Sequence, residues 1–386
     1  MTFSISHTLS AVACAVLLAG CQSTPTQTPQ SSNASTTSNT SATLANAPVL
    51  RQDTFDGVYE ITATADGGSL FVASVTGFDP QNGGFVHRLD ARTLQTVQTV
   101  QVPRRAFALG LNNATNTLYV GNTMEGSLSV VDARSGTFKG LIQLAEPKQN
   151  DKGQTVYAHT RKVIVDEVHN RVFVTSPGRP GLIWIVDGAT NTLTHTITSD
   201  GIWSAGAAYD AERNRLYIGQ GGENEVLVIN PDRGTVVQQL STGEMTEAHK
   251  GRSANFFINI ALDAQGQRLF AAGGQKNQVY VWDLASGQVI QRIPFSTSTL
   301  DILYNSARNE VVTSHRGDDK TGTGFVSILD GTTFAIKRTI DLPVHPNSLA
   351  LSPNGQTLYV TVKAPHGDKH PAFRKDAKDG VVRIDL

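Results

Sequence analysis

The sequence predicts an all-β fold, a seven-bladed β-propeller, from three observations. First, seven alternating apolar runs end in an acid or amide: VHRLD at Asp90, LSVVD at Asp132, IWIVD at Asp187, VLVIN at Asn230, VYVWD at Asp283, VSILD at Asp330 and VVRID at Asp385. They lie 42–55 residues apart, the spacing of propeller blades built only of short strands. Second, an aromatic-centred strand recurs before each run, as in Leu70-Phe71-Val72, Leu118-Tyr119-Val120, Val172-Phe173-Val174, Leu216-Tyr217-Ile218, Leu269-Phe270-Ala271 and Leu358-Tyr359-Val360. Blade six carries Val311-Val312-Thr313 instead. Third, no stretch sustains a helical period.

Each blade reads in the same order. In the last one, Asn347–Ser352 is the inner strand, Pro353-Asn354-Gly355 a tight turn, Thr357–Val362 the second strand and Gly380–Leu386 the third. Asn and Gly precede the second strand in most blades, at Asp66-Gly67, Asn116, Asn170, Asn214, Gln265-Gly266 and Asn309, which is the hairpin signal. The chain stops at the third strand of its last blade, which leaves a fourth strand missing. Pro48–Phe55 is the unassigned candidate for that vacancy, and joining the two chain ends there removes an exposed edge. Residues 48–386 are therefore expected to be one propeller, since repeat architectures relax the usual limit on domain size.

The N-terminal segment is read as processing sequence. Residues 1–20 form a lipoprotein signal peptide, whose apolar stretch Ala11–Gly20 is too short to span a bilayer. Leu18-Ala19-Gly20-Cys21 resembles a lipobox, so Cys21 is the expected lipidation site and the first residue of the mature chain. Residues 1–10 depart from the pattern in carrying no Lys or Arg. Residues 22–47 are rich in Ser, Thr, Asn, Gln, Pro and Ala with no charge, the composition of a disordered tether. Gln22 after the cysteine resembles the signal for outer-membrane delivery, facing the periplasm. With Cys21 as the one cysteine of the mature chain, no intramolecular disulfide is possible.

Leu118-Tyr119-Val120-Gly121-Asn122 and Leu358-Tyr359-Val360-Thr361-Val362 resemble the YVTN-repeat propellers. The third strand and turn Ser129-Val130-Val131-Asp132-Ala133-Arg134-Ser135-Gly136 extends the likeness. Within that group the chain is similar to the bacterial YncE-like family over about residues 48–386. The resemblance implies a secreted or periplasmic seven-bladed propeller without established catalysis and with a capacity to bind single-stranded DNA. The one Trp282-Asp283 dipeptide is too little for a WD-repeat reading, which expects the dipeptide in most blades.

Function is expected in the loops. Turns between first and second strands, and between third and fourth, are short, whereas Val75–Gly84, Ala145–Ala158, Thr242–Ala254, His315–Gly324 and Lys363–Gly380 are insertions. All five fall on the same side of the ring, and one elaborated face on a rigid scaffold is how binding sites are carried. Residues 145–162, 242–252, 315–320 and 363–379 hold 13 Lys and Arg against 9 Asp and Glu, although the whole chain has net charge −1. That near-neutral total excludes the overall basic field usual in nucleic-acid binders.

His159, Arg161, Trp203, His249, Arg252, His315, Arg316 and His345 stand near the starts of inner strands or the ends of second strands. They are expected to converge on one channel mouth. Arginine forks and imidazoles beside tryptophan suit phosphate, carboxylate or exposed bases. His366 and His370 flank Asp368 in a loop rather than on a helix, so neither a metal nor any other cofactor is expected. The sequence carries no P-loop, dinucleotide or nucleophile-elbow motif. The preferred reading is a monomeric, lipid-anchored, non-catalytic envelope module that binds an unknown anionic ligand or an envelope protein. A single-stranded DNA binder, as the family resemblance implies, and a hydrolase- or lactonase-like propeller enzyme remain as alternatives.

Overall fold

Seven four-stranded antiparallel sheets make up the fold. The computed structural model describes residues 49–386 apart from 78, 245–252, 319–322, 344 and 366. Among the described residues the only helical turn is Pro80–Asn82. Blade one runs Val58–Ala63, Ser69–Ser74, Gly84–Asp90, Thr96–Val102 from inside outward, and the later blades repeat that order. Their inner strands are Ala106–Asn112, Val163–Asp166, Ala207–Asp210, Phe257–Asp263, Thr299–Asn305 and Pro346–Leu351. Inner strands of neighbouring blades touch all the way round, blade seven against blade one included.

The ring closes with both chain ends in one sheet. Val49–Phe55 pairs antiparallel with the C-terminal strand Asp379–Asp385, in register from Val49 opposite Ile384 to Asp53 opposite Gly380, with a shift before Phe55 opposite Asp379. Blade seven therefore takes three strands from the C-terminus and its outermost one from residues 49–55.

The repeated strand pattern has a direct packing cause. Successive side chains of a strand point to opposite faces, and both faces of a blade are covered by neighbours. In blade two, Leu118 and Val120 pack toward blade one, whereas Tyr119 packs toward blade three; all three are fully buried. In blade three, Val172 and Val174 face blade two and Phe173 faces blade four. Each such residue contributes roughly 1.5–3 kcal/mol of burial. The described apolar core divides into one cluster per junction between blades.

Turn chemistry explains the terminal acids. Asp132 Oδ1 accepts the Ser135 amide at 2.8 Å and its hydroxyl at 2.9 Å. Asp283 does the same for Ser286. These side chains cap the turn into the outer strand, as short polar residues do by bonding nearby backbone. Asn116, Asn170, Asn214 and Asn309 adopt φ of 49–53° at the end of the inner turns, where asparagine tolerates the left-handed conformation. These turns define the lower face. Connections between second and third strands, and between blades, lie on the upper face, so Lys148–Gln149 and Thr155–Val156 form a small extra hairpin there.

One insertion is shorter than the sequence suggests. The second strand of blade six continues through Glu310–Asp318 and the third begins at Thr323, so most of His315–Gly324 is ladder rather than loop.

Candidate ligand-binding mouth

The upper ends of the inner strands are bulged in five blades. Register shifts fall between Val58 and Ile61, Ala106 and Ala108, Phe257 and Asn259, Thr299 and Asp301, and Pro346 and Leu349. A bulge re-aims side chains locally. Here it places Tyr59, Glu60 and Phe107 at the top of the channel.

Four half-buried side chains from consecutive blades form a row. Lys363 Nζ of blade seven lies 3.9 Å from the centre of the Tyr59 ring in blade one. That ring is 4.3 Å from Phe107 in blade two, and the Arg161 guanidinium of blade three sits 5.3 Å over Phe107. Cations over ring faces gain about 0.5–2 kcal/mol each, more as water is excluded. Burial, then Asp379, pushes the Tyr59 hydroxyl pKa up, and burial pulls the Lys363 ammonium down.

An ionic cluster crosses the axis next to this row. Glu60 Oε1 accepts Lys162 Nζ at 3.0 Å and Arg161 Nη1 at 3.3 Å, while Oε2 accepts the Leu109 amide at 3.1 Å. Asp301 of blade six accepts the amides of Leu349 at 2.8 Å and Ile302 at 2.9 Å. Glu60 and Asp301 are both 6% exposed. Burial pushes the Asp301 carboxyl pKa up, with Lys162 pulling it back. For Lys162, burial opposes the charge, but Glu60 and Asp301 outweigh it and the pKa rises.

The residues singled out from sequence divide between these and other places. Arg161 stands in the row. His345, at φ 41°, offers its carbonyl to the Lys363 amide at 3.2 Å, and its ring lies 5.8 Å from His370. His159 is exposed beside the Arg105–Glu125 ion pair of 2.6 Å; desolvation and then Arg105 lower its pKa. Trp203, at φ 58°, belongs to a second group, with Arg179 5.1 Å over its ring and Phe256 at its edge 5.4 Å away. Arg316 is exposed at the top of blade six. His249, Arg252, His366 and Cys21 lie outside the described residues.

His315 is not at the mouth. It is fully buried between Phe295 and Phe325, each 4.3 Å from its ring, and Nε2 bonds Thr313 Oγ1 at 2.8 Å. Burial holds its pKa at about 3, so it stays neutral. The reason is strand parity: Val311, Thr313 and His315 share one face, and that face packs on blade five.

Glu60, Lys162, Asp301, Tyr59, Phe107 and Lys363 were not anticipated. Charged residues inside V-Y-E-I and T-L-D-I strands carried a signal, since a buried strand rarely spends a position on a carboxylate.

Comparison with known proteins fits this architecture. A family model described as outer membrane protein assembly factor BamB matches residues 37–240. The chain is 32% identical to the YncE proteins of Salmonella typhi and of Escherichia coli K12, over 89% of this chain and 93% of each relative. Among solved structures, the WD40 repeats of RRP9 superpose with a TM-score of 0.63 at 13% identity, covering 89% of this chain and 98% of that one. Such low identity speaks for the fold alone. With this identity, this coverage and seven blades closed into one ring, the chain belongs to the YncE-like family of β-propellers.

Proposed function

We propose that this propeller is a non-catalytic binding module of the cell envelope, tethered by lipid on Cys21 to the periplasmic side of the outer membrane. Its upper face engages an anionic ligand or an envelope protein. The row Lys363–Tyr59–Phe107–Arg161 carries the reading, because it sets two cations and two aromatic rings at the open end of a rigid channel. The compartment is supported by the lipobox and by the description of the matching family model, an outer-membrane assembly factor. The test is capture from the native envelope with the lipid-free mature protein, using wild type and Arg161→Ala/Arg252→Ala. An envelope component retained by wild type and lost with the double variant supports the proposal; retention that ignores both arginines sinks it.

A second reading, binding of single-stranded DNA, is favoured by the Arg179–Trp203–Phe256 group, since bases stack on aromatic and guanidinium planes. Retention of an oligonucleotide that weakens with salt and with Trp203→Ala supports this reading. Salt-insensitive or absent retention excludes it.

A further inference from the structure

We propose that the upper mouth is a blind-ended cup that binds the terminal oxyanion of its ligand, a phosphate monoester or carboxylate inserted head-first onto Arg161. This rests on the reading of the upper face as the binding face and adds what is recognised there.

Three observations carry it. The first is a charged bridge across the channel. Glu60, Lys162 and Asp301 come from blades one, three and six, which are not neighbours in the ring, and the Glu60–Lys162 bond of 3.0 Å spans between such blades. A bridge between blades that are not neighbours narrows the channel at this level, so a ligand entering from above is expected to present an end to it rather than a middle segment.

The second is the state of Arg161. A guanidinium carries five N–H donors in a planar fork. Among the described residues Arg161 spends one of them, on a 3.3 Å contact to Glu60, although its side chain is only 18% exposed. The stronger demand of Glu60 is met by Lys162 at 3.0 Å and the Leu109 amide at 3.1 Å. Arg161 is thus held over the Phe107 ring, while the remainder of its fork has no acceptor among the described residues. An oxyanion matches that fork with two parallel hydrogen bonds.

The third is the wall. Phe107 lies against Arg161 and Tyr59 packs on Phe107, 4.3 Å between ring centres, so a group attached to an oxyanion on Arg161 has aromatic surface beside it. An anion with a flat or apolar group directly attached is therefore preferred over the bare ion. Carboxylates also stand nearby, at Glu60, Asp301 and Asp379. Each is committed, Glu60 as above, Asp301 to two backbone amides, and Asp379 to the amides of Val58 and Ala364.

The experiment is calorimetric titration of the full-length mature protein with inorganic phosphate, acetate, phenyl phosphate and diphenyl phosphate. Phosphate or acetate is expected to bind, which separates the two oxyanion sources. Phenyl phosphate is expected to bind more tightly than phosphate, and diphenyl phosphate, whose phosphorus is internal, to bind far more weakly than phenyl phosphate. Arg161→Ala should weaken binding about tenfold or more, and Arg161→Lys, which keeps charge but loses the fork, should fall between. No binding of any of the probes overturns the inference, as does equal affinity for the monoester and diester or an unchanged affinity in both folded variants. Probe binding without envelope capture would leave the cup standing and remove the scaffold reading. Capture unaffected by Arg161→Ala, with no probe binding, would do the opposite.

Discussion

Asp379 holds Val58 across the seam of the ring: its Oδ2 accepts the Val58 amide at 2.9 Å although 321 positions separate the two residues. Its other oxygen takes the Ala364 amide at 2.7 Å, and Lys363 approaches to 3.6 Å. Thr361 Oγ1 donates to the Tyr59 carbonyl at 2.9 Å beside it. The last blade and the first are thus joined by buried polar bonds as well as by the apolar cluster that includes Phe55 and Tyr359.

Shortening the chain at the seam should separate tether from fold. Deletion of residues 22–46 is expected to leave the melting temperature unchanged, whereas deletion of 22–55 removes the strand paired with Asp379–Asp385 and should lower it sharply. Asp379→Ala should cost about 2–4 kcal/mol by stranding the buried Val58 amide and the partly buried Ala364 amide. Equal melting of both shortened chains would refute the role of this strand.

Acid should destabilise the propeller through His315. Its folded pKa of about 3 lies below the usual histidine value of 6.5, so the unfolded chain takes up the proton first. The stability it protects is complete above pH 6.5 and falls as pH drops toward 3, by roughly 1.4 kcal/mol per pH unit for a fully realised shift. Denaturant unfolding between pH 4 and 7 measures the slope. His315→Gln should flatten it, and an unaltered slope would show that other groups carry the acid response.

Glu225 should be the stability anchor of the upper loop between blades four and five. It is fully buried and accepts Thr242 Oγ1 at 3.0 Å, Ser241 Oγ at 3.3 Å and Asn255 Nδ2 at 2.8 Å, so it ties residues on either side of 245–252 together. Glu225→Ala is expected to cost about 2–4 kcal/mol, because the buried Asn255 amide and the partly buried Thr242 and Ser241 hydroxyls lose their acceptor at once. A loss below half a kilocalorie, within the range of ordinary surface substitutions, would contradict this.

Membrane attachment should depend on Cys21. Cell-made protein is expected in the membrane fraction, and Cys21→Ser should release it or block maturation, since stable anchoring needs more than one acyl chain. Undiminished membrane association of Cys21→Ser would rule out the lipid tether.

Strand order and blade number were legible because both faces of every blade are buried. That condition forces near-continuous apolar runs such as Ile183-Trp184-Ile185-Val186, and Asn or Asp must then mark each turn. Arg161 stands two residues before the inner strand Val163–Asp166, and the structure sets it over Phe107 of the neighbouring blade. His315 was misplaced because its strand runs on to Asp318, and only the parity it shares with Val311 and Thr313 reveals that it points at blade five.

The sequence by itself determined the seven blades, the side of the ring that carries the long loops and the segment available to complete blade seven, all of which follow from local period and turn chemistry. Tertiary structure alone decided what meets at the axis. Glu60 and Lys162 are 102 positions apart, Glu60 sits within a bulge that breaks the two-residue alternation, and Asp301 enters from the opposite side of the ring. Local periodicity ends at the strand, whereas the charge balance of the channel depends on ring closure, which brings blades one, three and six to one point.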